Sequence, residues 1–121
     1  MERSDLRLHL IHKETGLFIG SSGLHRIDWN SRKFEIGYWI HTSWSGQGLM
    51  TEAVAGITAF AVGELQANRL EIRCDARNTR SLKVAERLGF TLEGVLRSEM
   101  RDVSGELRDT LVFAKVKGRE F

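Results

Sequence analysis

The chain has 121 residues, 41% of them hydrophobic, which suits one domain, residues 1–121, built on a single core. A net charge of +2, with basic residues mixed among acidic ones, excludes a strong electrostatic case for direct nucleic-acid binding. The lone cysteine, Cys74, excludes an internal disulfide and fits a reducing, cytoplasmic setting; no apolar run is long enough to span a bilayer, and no signal-peptide pattern stands at Met1–Asp5.

In chain order, Leu6 to His12 alternates apolar and polar residues, as a half-buried strand should, and Gly16 to Gly20 begins a second, antiparallel strand after a turn. Asp28-Trp-Asn-Ser31 predicts a turn, and Lys33 to Ile40 a third strand. Leu49 to Thr51 then open a helix in which Met50, Val54, Ile57, Ala61 and Leu65 recur three and four apart, giving one apolar face that ends at Gln66-Ala-Asn68. Arg69 to Asp75 reads as a strand parallel to the third, if the helix between them is a right-handed crossover. A short helix from Thr79 to Leu88 stops at Gly89, and Phe90 to Met100 with Glu106 to Lys115 make a hairpin around Asp102-Val-Ser-Gly105. The expected class is α/β (α+β), a mixed sheet with two helices.

The stretch from Glu35 to Val54 runs strand, glycine-bearing loop and helix start without a break. Gly46 and Gly48 allow positive φ and place no side chain above the backbone, so that N–H groups can converge on an anion. The helix start adds unpaired N–H groups and the positive end of its dipole, which suits a phosphate. An ordinary strand-to-helix turn explains an isolated Gly-x-Gly equally well. A dinucleotide site is disfavoured because Thr51 stands at the third glycine, and Gly-Lys-Ser/Thr occurs nowhere.

Further words follow: Glu35-Ile-Gly-Tyr-Trp-Ile40, Gly46-Gln-Gly-Leu-Met-Thr-Glu-Ala53, Asn78-x-x-Ser81, Leu88-Gly-Phe90, Glu93-Gly94 and Arg108-Asp-Thr110. In this order and spacing the chain resembles the GNAT N-acetyltransferase superfamily, most closely its RimJ/RimL-like ribosomal-protein N-terminal acetyltransferase branch. The resemblance implies a mostly antiparallel sheet with a central splayed parallel pair and flanking helices. It implies acetyl-coenzyme A (acetyl-CoA) in that gap, with Tyr38, Trp39 and Ile40 offering backbone bonds to pantetheine. By position, Gly46, Gln47, Gly48, Leu49, Met50 and Thr51 would cradle the pyrophosphate, Asn78 would bond the pantetheine arm, and Arg87 is a candidate for an outer phosphate. A main-chain N–H near Ile40 would polarise the thioester carbonyl.

Two departures stand out. Ser43 replaces the Gln or Arg that begins the family's loop, and Ala85 replaces a tyrosine that many members use to protonate the leaving thiolate. Tyr38 is the sole tyrosine. The resemblance moves the acid to Ser81, beside the cofactor thiol; capping of Lys83 or Val84 by Ser81 is the structural alternative. Glu99 and Glu35 are the candidate bases, with solvated carboxylates as the alternative, and Asp109 is read as shaping the hairpin. Phe34, Trp39 and Cys74 read as core. His9, His12, His25 and His41 lack partners at metal-ligand spacing, so no metal is expected.

The implied reaction moves acetyl from acetyl-CoA to a protein or peptide α-amine, in the ribosomal-protein manner. A terminal amine has a pKa of roughly 8, so about a tenth is free at pH 7, against less than about a thousandth of a lysine. A small-molecule amine acceptor, and a non-catalytic acyl-CoA-binding or assembly module, are the other readings. The family has a further strand and helices before the strand that starts at Leu6, for which there is no room here; a truncated sequence, a late start or a partner chain over the resulting open edge would each account for this, and the last admits a homodimer.

Overall fold

A computed structural model describes residues 6–11, 18–40 and 48–121, with the backbone alone for 6–11, 18–19 and 39–40. The elements are β1 (Leu6–Ile11), β2 (Phe18–Asp28), β3 (Lys33–Ile40), α1 (Leu49–Gly63), β4 (Arg69–Asp75), α2 (Thr79–Arg87), β5 (Thr91–Arg101) and β6 (Leu107–Val116). They form one six-stranded sheet in the order β1-β2-β3-β4-β6-β5. Every neighbouring pair is antiparallel except β3 and β4.

That parallel pair splits. Lys33, Phe34 and Glu35 pair with Arg69, Leu70 and Glu71, and no further rung joins the two strands. Beyond it β3 still pairs with β2 as far as Ile40, and β4 with β6 as far as Asp75, so the sheet opens a gap at its centre. The expected splayed pair is therefore present.

Alternation decides what each face carries. Phe34, Ile36, Leu70 and Ile72 are buried against Met50, Val54, Ile57 and Ala61 of α1, and Val84, Ala85 and Phe113 join the same cluster. Trp29 meets Phe34 edge to face with ring centroids 5.5 Å apart. Helix α1 stops at Gly63, short of Leu65, because Gln66 takes a left-handed φ of 52° and the Ala67 N–H closes on the Ala61 carbonyl at 2.9 Å. Leu65 still packs on the core, from the turn. Likewise α2 ends at Arg87, with Leu88 as its cap and Gly89 at φ 80°. Among the described residues no helix is long and apolar enough to cross a membrane.

The opposite face is charged. Arg69 Nε donates to Glu71 at 2.8 Å and Arg73 Nε donates to it at 3.3 Å, while Arg69 also clamps Glu93 at 2.7 and 3.1 Å. Burial pushes the Glu71 carboxyl up, but the two guanidiniums more than offset this and hold it below the usual carboxylate value.

At the hairpin tip Asp102 accepts from the Ser104 hydroxyl at 2.6 Å, the Ser104 N–H at 2.9 Å, the Glu106 N–H at 3.0 Å and Arg108 at 3.0 Å. The Ser104 hydroxyl is the largest cause of an Asp102 pKa lowered from 3.8 to about 2. A carboxyl depressed on folding adds stability above its unfolded value and loses it as pH falls through its folded one. Thermal melts should therefore show wild type above Asp102→Asn at pH 4 and higher, with the difference fading between 3.8 and about 2.

Candidate active site

Helix α1 begins at Gly48, whose φ of 76° favours glycine and which supplies no side-chain cap. Among the described residues a Cβ built there meets nothing within 4 Å. Met50 is buried in the core and Leu49 and Thr51 are half-buried, leaving backbone N–H groups as what this turn offers an anion. Gly46 and Gln47 of the expected cradle, and Ser43, lie outside the described residues.

The second helix end sits across the gap. Asn78 is the N-cap of α2, its side-chain oxygen accepting the Ser81 N–H at 3.2 Å. The capping role allowed for Ser81 thus belongs to Asn78, because Ser81 lies three residues inside the helix, where its own N–H is the orphan needing a partner. Among the described residues the Asn78 amide NH₂ makes no hydrogen bond. Among the described residues the half-buried Ser81 hydroxyl makes no hydrogen bond.

Tyr38 ties the two sides together, its hydroxyl donating to the Ser81 carbonyl at 2.9 Å. Sequence reading had given this residue only a backbone role. Burial pushes its phenol up to about 12, partly countered by the bond to Ser81. With no other tyrosine in the chain, near-ultraviolet titration of the folded protein should show phenolate forming about two units above the ordinary value of 10.0. Titration near 10 would contradict the burial of the Tyr38 ring.

Beyond the split, Tyr38, Trp39 and Ile40 pair with Ser22, Ser21 and Gly20 of β2, and no β4 residue pairs with them. Backbone groups on the gap side are thus left for a bound molecule. Ala85 is fully buried, so its side chain belongs to the core. Arg87 is exposed at the far end of α2, about 9 Å of helix rise from Ser81, and is not gathered with Asn78 and Ser81.

On the charged face a cleft of about 180 Å³ brings Glu35 and Glu99 together. Arg26, Arg73, Cys74, Asp75, Met100, Arg108 and Thr110 complete its walls. Arg26 pairs with Glu35 at 3.3 Å, and Arg108 bridges Asp75 at 2.9 Å and Asp102 at 3.0 Å. Glu99 is the one cleft carboxylate without an ion pair or hydrogen bond among the described residues. Burial pushes the Cys74 thiol up, in keeping with a small core residue.

His25 pairs with Glu35 across β2 and β3, and its ring lies over Gly37, where a Cβ would sit 2.5 Å from Nε2. A side chain at Gly37 would therefore have to displace the His25 ring. Sequence reading missed Arg26, Arg73, Asp75 and Arg108 as cleft residues. Alternation of Glu71, Arg73 and Asp75 was an available signal. Arg26 owes its place to a bulge, at φ 45°, and Arg108 to a partner 33 residues away, and neither leaves a local mark.

The model of the acetyltransferase (GNAT) domain family matches residues 1–91. The ribosomal-protein-serine acetyltransferase of Escherichia coli (strain K12) is 34% identical over 96 residues, covering 79% of this chain and 53% of that protein. The Bacillus licheniformis protein p20, named an uncharacterized N-acetyltransferase, is 35% identical over 115 residues, covering 95% and 64%. The crystal structure of the microcin C7 self-immunity acetyltransferase MccE, in complex with acetyl-CoA and AMP, superposes with a TM-score of 0.82 at 30% identity, covering 93% of this chain and 61% of that one. The chain thus spans 53% to 64% of the length of these three proteins. The matched residues run through β1, the split pair, the glycine-capped α1 and the Asn78-capped α2, and on that span this chain belongs to the GNAT acetyltransferase domain family.

Proposed function

We propose that this chain binds acetyl-CoA and transfers its acetyl group to a primary amine, the acceptor being the α-amine of a protein or peptide, of the ribosomal-protein kind. The observation that carries the reading is the split sheet, which has two helix N-termini at its helix side and, on its other side, a cleft whose Glu99 carboxylate has no ion pair among the described residues. Bound acetyl-CoA supplies an acyl group activated as a thioester. The N–H groups of Leu49 to Thr51 hold anionic phosphate, and the gap-side backbone of Tyr38 to Ile40, with Asn78, holds the uncharged arm. Glu99, directly or through a water, takes the proton that the incoming ammonium must lose. Ser81 Oγ–H, on the α2 side of the gap, is the proton donor at the opposite end of the reaction. Glu35 is the second carboxylate, but Arg26 competes with an acceptor ammonium for it.

The cleft walls carry Arg26, Arg73 and Arg108 against Glu35, Asp75 and Glu99, a balance that gives no excess negative field for a polycation. A peptide terminus with one titrating amine fits that balance, and the name of the Escherichia coli relative, a ribosomal-protein-serine acetyltransferase, supports a protein acceptor. A small-molecule amine is the alternative acceptor, and an acyl-CoA-binding module without turnover the alternative function. The thiol of Cys74 fits a cytoplasmic setting. The proposal extends to a homodimer across a sheet edge, since among the described residues β1 and β5 end the sheet and β5 exposes Val95 and Met100.

The test incubates the chain with acetyl-CoA and either synthetic peptides bearing a free N-terminal Ser or Ala, or spermidine, and reads products by mass spectrometry. Acetyl on the peptide α-amine is the expected result. Acetyl on spermidine alone would change the acceptor class, and CoA binding with no product would leave the module reading.

A further inference from the structure

We propose that Asp109 is a positioning residue for the acceptor side of the site: its carboxylate holds the β5 bulge that turns Glu99 into the cleft. This rests on the reading of Glu99 as the base.

The register shows the bulge directly. Leu96 pairs with Thr110 and Met100 with Arg108, so Arg97, Ser98 and Glu99 stand opposite Asp109 alone. Such extra residues lose their ladder bonds, and an N–H left without a partner must find another acceptor. Asp109 supplies it, Oδ1 accepting the Ser98 N–H at 2.8 Å. Ser98 itself sits at φ 50°, in the left-handed region, where a residue bearing a Cβ stays only when its surroundings hold it.

The consequence lies in the cleft. Glu99 and Met100 are adjacent and both line it, whereas a regular strand sends successive side chains to opposite faces. Arg108 and Thr110 line the cleft on either side of Asp109, which does not. Asp109 therefore acts through the backbone of Ser98 and touches no acceptor. The hairpin is tied separately, by Asp102 at its tip and by Arg108 to Asp75, so the loss of Asp109 leaves the fold its other anchors.

The test compares wild type, Asp109→Ala, Asp109→Asn, Glu99→Gln and the double variant Asp109→Ala/Glu99→Gln, with acetyl-CoA and the Ser- and Ala-terminated peptides. Asp109→Ala should lower kcat roughly 10- to 100-fold, the scale of a misplaced catalytic group, with acetyl-CoA affinity by calorimetry unchanged. Asp109→Asn keeps an oxygen acceptor and should restore most of kcat. In the Glu99→Gln background Asp109→Ala should cost nothing more, because both changes disable one device. Hydrogen exchange should find the Ser98 amide protected in wild type and Asp109→Asn and fast in Asp109→Ala. A Ser98 amide still protected in Asp109→Ala, wild-type kcat in that variant, or full additivity in the double variant overturns the proposal alone. Wild-type turnover by Glu99→Gln, or no turnover of any peptide by the wild-type chain, overturns the reading beneath it and the proposal together.

Discussion

Gly48→Glu should lose at least about 100-fold in affinity for CoA. The substitution puts a carboxylate at the N-terminus of α1, where the proposal places phosphate, and where no described residue comes within 4 Å of a Cβ. Two like charges about 4 Å apart repel by about 1 kcal/mol in water and about 4 kcal/mol near a protein surface. The tethered carboxylate also competes with phosphate for the N–H groups of the first turn. Because φ at residue 48 is 76°, any side chain there adds about 1–2 kcal/mol of backbone strain. Gly48→Ala carries that strain without the charge and should bind CoA within about tenfold of wild type. A folded Gly48→Glu that binds CoA as wild type does would remove the anion site from this helix end.

Glu99→Gln should lower kcat/KM on a peptide α-amine by about 100-fold at pH 7, the lower end of what general bases contribute. The lower end applies because about a tenth of such an amine is already neutral there. The deficit should shrink as pH rises toward roughly 8, where the acceptor sheds its own proton. Glu35→Gln should cost less, since Arg26 already occupies that carboxylate. A pH profile for Glu99→Gln parallel to wild type would mean that Glu99 serves shape or charge rather than proton transfer, and a larger loss in Glu35→Gln would move the base to β3.

Local chemistry made much of this fold legible. The bounds of β3 and β4 follow from the sequence because a turn precedes each: the Asp28 carboxylate accepts the Ser31 N–H at 3.1 Å, and Asn68 reaches back to the Ser31 carbonyl at 3.1 Å. Helix α1 was read two residues too long because Leu65 keeps the helical spacing of its apolar face while belonging to the turn that Gln66 creates. Asn78 and Ser81 were legible as a pair at a helix start, but which of them caps depends on a one-turn offset that side-chain type does not reveal. The splay of the parallel pair came from the resemblance rather than from any residue pattern, since nothing in Ile36 to Ile40 or Ile72 to Asp75 marks a missing rung. The cleft was half legible. Two of its three carboxylates, Glu35 and Glu99, were named, but the pairing of Arg26 with Glu35, the bridge from Arg108 to Asp75 and the bulge held by Asp109 join residues 9 to 33 positions apart, and such contacts exist only once the sheet has formed.

The most direct measurement is a calorimetric titration of the purified 121-residue chain with acetyl-CoA, with circular dichroism on the same sample to establish that it is folded. Saturable heat at one site per chain, abolished by Gly48→Glu, is the predicted result. A folded chain that gives no saturable heat would contradict the acetyl-CoA site on which every step of the proposed reaction depends.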